Sequence, residues 1–323
     1  MADGTKIEWT DATWNPITGC AIVSPGCTNC YAMKLAGTRL KNHPSRKGLT
    51  KESKGGPVWT GEIRFNRNWL DQPLRWTKPR MIFVCAHGDL FAEGVDEVWI
   101  DYVFAVMALA PQHTFQVLTK RPERMRQYML GMLSRRQFIS GYGALVWGGD
   151  RPDLVYETVD DAIAKSLPNV WLGVSVEDQK RADERRDPMR ALAEIGWLTW
   201  VSYKPAIGPV DWTDWEFIRW LVSGGESGPR SSHPEWHRAA RDFCADNSIP
   251  FLFKQWGSWA PSTPEDAAGN PRSGWVALSG NRPAKAAELY PDAGAAFVAN
   301  VGKKAAGRLL DGIEHNGFPE VRR

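Results

Sequence analysis

Three of the five cysteines in this chain fall within eleven residues, as Cys20-Ala-Ile-Val-Ser-Pro-Gly-Cys27-Thr-Asn-Cys30, a C-x6-C-x2-C run followed at once by Tyr31. A C-x2-C pair lets two thiolates face one metal centre, and the Pro25-Gly26 turn can fold Cys20 back onto them. Asn15-Pro16 and Gly19 oppose a helix before the run, so the cysteines belong to a loop, and YAMKLAGTRL after Cys30 starts a helix. Clustered thiols in a chain of this kind favour metal or redox chemistry over disulfides. Spacing alone leaves two metals open. Structural zinc wants four ligands, with His43 or a distant His or Cys completing the set. A [4Fe-4S] cluster held by three cysteines keeps one iron free for an outside ligand.

The scaffold follows from the rest of the chain. Short apolar runs rich in β-branched and aromatic residues recur at 81–85 (MIFVC), 114–118 (TFQVL), 170–174 (VWLGV), 198–201 (LTWV), 220–222 (WLV) and 251–253 (FLF). Each is too short for a helix and reads as a buried strand. Helical periods occupy 98–110, 121–133, 179–195 and 234–247, the last opening with Pro234 and Glu235 as a helix N-terminus prefers. Strands alternating with helices imply right-handed βαβ units and a parallel sheet. With one more strand expected before the cysteines, the economical closure is a full or partial TIM-type (β/α) barrel. A doubly wound sheet is the competing fold, but no G-x-G-x-x-G stands between a strand and a helix. Residues 131–168 interrupt the rhythm and read as an inserted loop or small subdomain. The expected division is a barrel over 1–257, with that insertion, and a capping extension over 258–323.

Barrel chemistry sits at the carboxyl ends of the strands. The polar residues there are Cys85, His87, Gly88 and Asp89 after the first run, then Lys120, Ser175 and Glu177, Lys204, Glu226, and Lys254 with Gln255 and Trp256. The cysteine loop lies just after the first expected strand, at the same mouth. An open iron there faces a substrate, whereas a structural zinc gains little from the position. Arg121, Arg124, Arg126 and the basic 181–190 stretch read as solvated helix faces.

Composition narrows the partners. The 323 residues are 43% hydrophobic and 24% charged, with a net charge of +3, which is ordinary for a globular protein and argues against a polycation. No apolar run approaches the about 20 residues of a membrane span, and MADGTKIEWTD lacks the apolar core of a signal peptide, so a cytoplasmic protein without membrane contact is expected. The 17 tryptophans supply flat surfaces for packing or for stacking an extruded base.

The cysteine run resembles that of the radical S-adenosylmethionine (SAM) superfamily, whose usual motif is C-x3-C-x2-C with a nearby aromatic; the first gap here is wider. Over nearly its whole length, apart from 131–168, the chain is similar to a phage-associated family of radical-SAM-like proteins. The likeness rests on IEWTDATWNPITGC, SPGCTNCYA, HTFQVLTKRPERM, NVWLGVSVEDQ, LVSGGESG, PFLFKQWG and AGRLLDG. A fainter likeness, to spore photoproduct lyases, is carried by Cys30-Tyr31, Cys85 with Asp89, Thr119-Lys120 and Ser175, although Asn29 stands where those enzymes have a tyrosine.

The resemblance implies a [4Fe-4S] cluster on Cys20, Cys27 and Cys30 whose open iron takes SAM. One electron then cleaves SAM to a 5′-deoxyadenosyl radical, which abstracts a hydrogen atom from the substrate. It implies SAM contacts from Tyr31, His87, Gly88, Asp89, Lys120 and Ser175, with Glu177 close by. Cys85 becomes a candidate hydrogen donor, and Lys204, Glu226, Lys254, Gln255 and Trp256 candidate substrate contacts. A flavodoxin- or ferredoxin-type reductant is the expected partner, and a nucleobase or nucleotide, free or in nucleic acid, the expected substrate. The competing function is a zinc-stabilised, non-catalytic nucleic-acid-binding protein.

Overall fold

Each apolar run forms a strand in the computed structural model, which describes residues 4–5, 7–281 and 284–320. In chain order the strands are β1 (Ala12–Trp14), β2 (Met81–Val84), β3 (Thr114–Thr119), β4 (Val170–Val176), β5 (Leu198–Tyr203), β6 (Leu221–Gly224) and β7 (Phe251–Gln255). The helices are α1 (Tyr31–Gly37), α2 (Glu97–Leu109), α3 (Pro122–Gly131), α4 (Arg136–Trp147), α5 (Pro152–Ala164), α6 (Gln179–Glu194) and α7 (Pro234–Asp246). In sheet order the seven strands follow chain order throughout. A doubly wound sheet reverses its order at a switch point. This one has no reversal, so the topology is that of a partial (β/α) barrel, one strand short of the usual eight. No helix among the described residues is long and apolar enough to cross a membrane.

Two compact units share the chain: residues up to 174 with 191–199, and residues 175–190 with 200–320. In the first, β1 pairs with β2, β2 with β3 and β3 with β4, all parallel. On one face of these strands Trp14, Ile82, Phe115, Val117 and Leu172 are buried. Helix α2 is apolar nearly all round and buried from Ile100 to Ala108. A helix without a polar stripe needs cover on both sides, and the 131–168 insertion supplies it. That stretch is helical: α4 and α5 form a hairpin that packs on α2. Close approach within the hairpin requires Gly143, where a Cβ would fall 2.8 Å from a Val159 methyl. The one charge on the buried side of α2, Asp101, accepts from Tyr128 Oη at 2.8 Å and pairs with Arg135 at 2.6 Å.

In the second unit β5, β6 and β7 are parallel neighbours. The tail adds an antiparallel sheet of β8 (Trp259–Pro261), β9 (Ser273–Val276) and β10 (Ala296–Asn300), with β10 in the middle. Its last segment then runs along β7, where Phe253 donates to the His315 carbonyl at 3.1 Å and Gly317 to that of Phe251 at 2.9 Å. The exposed edge of β7 is thereby covered, as an edge strand requires.

Candidate functional site at the cysteine loop

After β1 the chain turns away at Gly19 and coils through a single 3-10 turn, Pro25–Cys27, into α1. Cys27 N–H bonds the Ser24 carbonyl at 2.9 Å, and Cys30 N–H bonds the Cys27 carbonyl at 3.2 Å, so the C-x2-C segment wraps one tight turn. All three cysteines are free thiols. Cys20 and Cys30 pack against the small core made by Ala32, Met33, Ala36, Leu49 and Trp59.

The thiols are near enough to oppose each other's ionisation. Burial pushes Cys20 up to about 12; Asp89 adds to this, Arg121 opposes it, and Cys27 and Cys30 raise it further. Burial likewise raises Cys30, while hydrogen bonds from Met33 and Ala32 pull it down; Cys27 raises it and the Lys120 ammonium lowers it. Among the described residues no three His, Cys, Asp or Glu side chains converge on a point that a single ion could occupy. His43 has its Nδ1 engaged by Ser45 Oγ at 2.7 Å. Cys20 and Cys30 are half-buried and Cys27 is buried, and neighbouring thiols of this kind become thiolates together only if a positively charged centre joins them, since metal binding and thiol deprotonation are coupled. Three cysteine thiols are a donor set of the kind that an iron–sulfur cluster takes.

The end of β2 stands beside the loop. Cys85 lies in the left-handed region (φ 55°), where a non-glycine residue is strained, and its N–H bonds the Trp14 carbonyl at 2.7 Å. Its buried thiol is pushed up to about 12 by desolvation. Tyr31 Oη donates to the Ala86 carbonyl at 2.5 Å, and His87 N–H to Asn15 Oδ1 at 3.0 Å. Gly88 lets the chains approach closely, since a Cβ there would sit 3.0 Å from both the Gly19 and Ile17 carbonyl oxygens.

Asp89 turns out to be a hub. Its Oδ1 accepts from Phe91 N–H at 2.9 Å and Thr119 Oγ1 at 2.7 Å, and its Oδ2 from Lys120 N–H at 3.2 Å and Arg121 Nη1 at 3.0 Å. A carboxylate has about four acceptor positions. All are filled, so Asp89 positions its neighbours and has none to offer an amino group of SAM. Arg121 is not the solvated helix face that its sequence suggests. It is buried and holds Asp89, both Glu93 oxygens, the Ala21 carbonyl at 3.3 Å and, at 3.6 Å, Cys20 Sγ. Burial lowers its pKa, but Asp89 and Cys20 more than offset this and raise it. The signal lay in Pro122: a residue before proline avoids helical geometry, so Arg121 belongs to the strand end. Arg124 is also turned inward, onto the Ala92 and Val95 carbonyls. Arg126 does lie on the surface, paired with Glu123.

The remaining candidates lie in the second unit. Ser175 is buried, and its carbonyl accepts from Arg185. Glu177 is fully buried and pairs with Arg185 at 2.7 Å, so neither reads as solvated. Glu226 is held by Arg230, and Gln255 Nε2 donates to Ser227 Oγ at 3.1 Å. Trp256, 5% exposed, is core: Nε1 donates to the Leu309 carbonyl at 2.8 Å, and the ring meets Phe253 and His237 edge-on. No stacking face remains on it. Lys204 and Lys254 are partly exposed and both engaged within the chain.

A family model described as protein of unknown function (DUF5131) matches residues 4–319. No curated protein and no solved structure matches the chain.

Proposed function

Since the chain belongs to the DUF5131 family, whose function is unknown, its activity has to be read from its own residues, and we propose that it is a radical SAM enzyme. The observation that carries this reading is the nearness of three free thiols to one another and to Lys120 and Arg121 at the carboxyl ends of β1 to β3. That is where a parallel β/α sheet places its chemistry. The sequence resemblance to radical SAM proteins supports the same assignment.

Cys20, Cys27 and Cys30 would hold a [4Fe-4S] cluster. When bound, the cluster supplies the electron that breaks a C–S bond of SAM, giving methionine and the 5′-deoxyadenosyl radical that takes a hydrogen atom from the substrate. The chain's own residues do the rest. Arg121 fixes the first cysteine through its Nη1 contact and ties the loop to the end of β2 through Asp89. Lys120, aligned by its backbone bond to Asp89, offers an ammonium to the SAM carboxylate. Tyr31, anchored at its hydroxyl with the ring half exposed, offers a face to the adenine. Cys85 keeps its proton at neutral pH, as a hydrogen-atom donor to a substrate radical must. A nucleobase or nucleotide is the substrate class we favour, with a flavodoxin- or ferredoxin-type protein as reductant.

Anaerobically purified protein should be brown, contain iron and sulfide, and form 5′-deoxyadenosine from SAM under strong reductant. Cys27→Ala should abolish both the iron and the product. A colourless protein with one zinc per chain would overturn the assignment in favour of a zinc-stabilised binding protein.

A further inference from the structure

The most anomalous side chain in the first unit is Arg46. It is 4% exposed, on the loop that follows α1, and that loop is pinned by Thr18 Oγ1 donating to the Ser45 carbonyl at 2.7 Å and by Arg64 donating to the Pro44 and Lys47 carbonyls. Nη1 bonds Ser45 Oγ at 2.7 Å and the Ser45 carbonyl at 3.3 Å, and the guanidinium lies 5.9 Å from the Trp69 ring centre. Nε is buried with no partner, and no carboxylate pairs with this group among the described residues. Burial and the neighbouring Arg64 lower its pKa to about 10, so it is still a cation at neutral pH. Buried charges in folded proteins are normally paired, because desolvation without a counter-ion is costly.

A second orphan adjoins it. His87 Nδ1 is buried without a partner, and its imidazole feels the Arg46 charge. Burial first, and Arg46 second, lower this histidine to about 4, so it is neutral. Thr18, which holds the Ser45 carbonyl, lies against Gly88, where a Cβ would be 3.3 Å from Thr18 Cα, and the Tyr31 and His87 rings are 6.1 Å apart, so the Arg46 loop, Tyr31 and His87 meet at the end of β2. Two buried nitrogens without hydrogen-bond partners, one of them on a cation, are donors suited to an anion.

We propose that Arg46 and His87 form an oxyanion site beside the end of β2, receiving the carboxylate or phosphate of a bound ligand. A guanidinium fork matches either group with two parallel bonds, and a neutral imidazole adds a donor at Nδ1. The site stands on these residues whether or not the cysteines carry iron. It deepens the radical SAM reading only in saying that a ligand at this mouth is anionic.

The full chain, with its iron content measured separately, is titrated at low salt with inorganic phosphate and with acetate, by calorimetry and by thermal stability. Wild type should bind one of the two. Arg46→Gln should weaken that binding roughly tenfold or more and raise the melting temperature of the free protein, because an uncompensated buried charge has gone. Arg46→Lys, which keeps the charge and loses the fork, should bind with intermediate affinity. SAM displacing the probe assigns the oxyanion to the cofactor's carboxylate; simultaneous binding assigns it to the substrate. The proposal fails if wild type binds neither probe. It fails equally if Arg46→Gln binds as wild type does, or if that variant melts lower with unchanged binding, the mark of a structural arginine.

Discussion

At the scale of single residues, the cysteine loop is held in place by one carboxylate and one guanidinium. Asp89 gathers the ends of β2 and β3, and Arg121 carries that anchorage to Cys20. Removing the carboxylate leaves a buried guanidinium short of a partner, although Glu93 still binds Nε. Asp89→Ala should therefore cost about 3 kcal/mol in a denaturant titration of the metal-free chain. It should also lower the iron retained per chain in reconstituted protein. A loss within about 0.5 kcal/mol would show that Arg121 is adequately held by Glu93 alone. The same pair shows how little of the site is local, since Arg121 lies 32 positions from Asp89 and 101 from Cys20.

Among the elements, the insertion departs furthest from its sequence pattern. Glycines at 141, 143, 148 and 149 obscure two helices in a segment that pattern alone leaves as an inserted loop or small subdomain. Its role becomes legible from α2, whose uninterrupted apolar surface demands a second covering layer. Asp101 is the polar key to that layer. It lies wholly buried on α2 and binds Arg135, just ahead of α4, while Glu97 binds the same guanidinium at 2.8 Å. Asp101→Ala should destabilise the chain by about 3 kcal/mol, because Tyr128 Oη loses its acceptor and Arg135 keeps only an exposed carboxylate. Hydrogen exchange should report the loss first in α4 and α5. Unchanged protection there would mean that the hairpin is secured by apolar packing alone.

For the whole molecule, the buried histidines predict acid lability. His237 is enclosed by Tyr203, Phe253 and Trp256 and bonded to Ser223 Oγ at 2.7 Å and Ser232 Oγ at 2.9 Å. Burial first, then the charges of His233 and Lys204, lower it from 6.5 to about 3. Between these values the unfolded chain binds a proton that the folded chain refuses. Stability from this group is thus complete above about pH 6.5 and falls as the pH drops toward 3, by up to about 1.4 kcal/mol per pH unit. Asp311, held by Arg238 and Arg241 and lowered from 3.8 to about 2, adds loss in the same direction over a more acidic window. Melting temperatures of the metal-free chain at pH 7 and pH 5 test this, with His237→Gln expected to give the shallower decline. Equal temperatures at both pH values in wild type would contradict a neutral buried imidazole.

Amino-acid order by itself determined the alternation of strands and helices, the residues at each strand end and the cysteine loop between β1 and α1. Those features depend on hydrophobic period, proline and glycine placement and short spacings, all of which act within a few residues. Tertiary structure alone decided which charges are buried and with whom. Asp89, Glu177 and Glu226 find internal partners, Trp256 joins the core, and Arg121 turns inward. Arg46 is enclosed by a loop that nothing in its own neighbourhood marks as interior. Burial of a charge depends on groups that folding brings from distant positions, and no local pattern encodes that encounter.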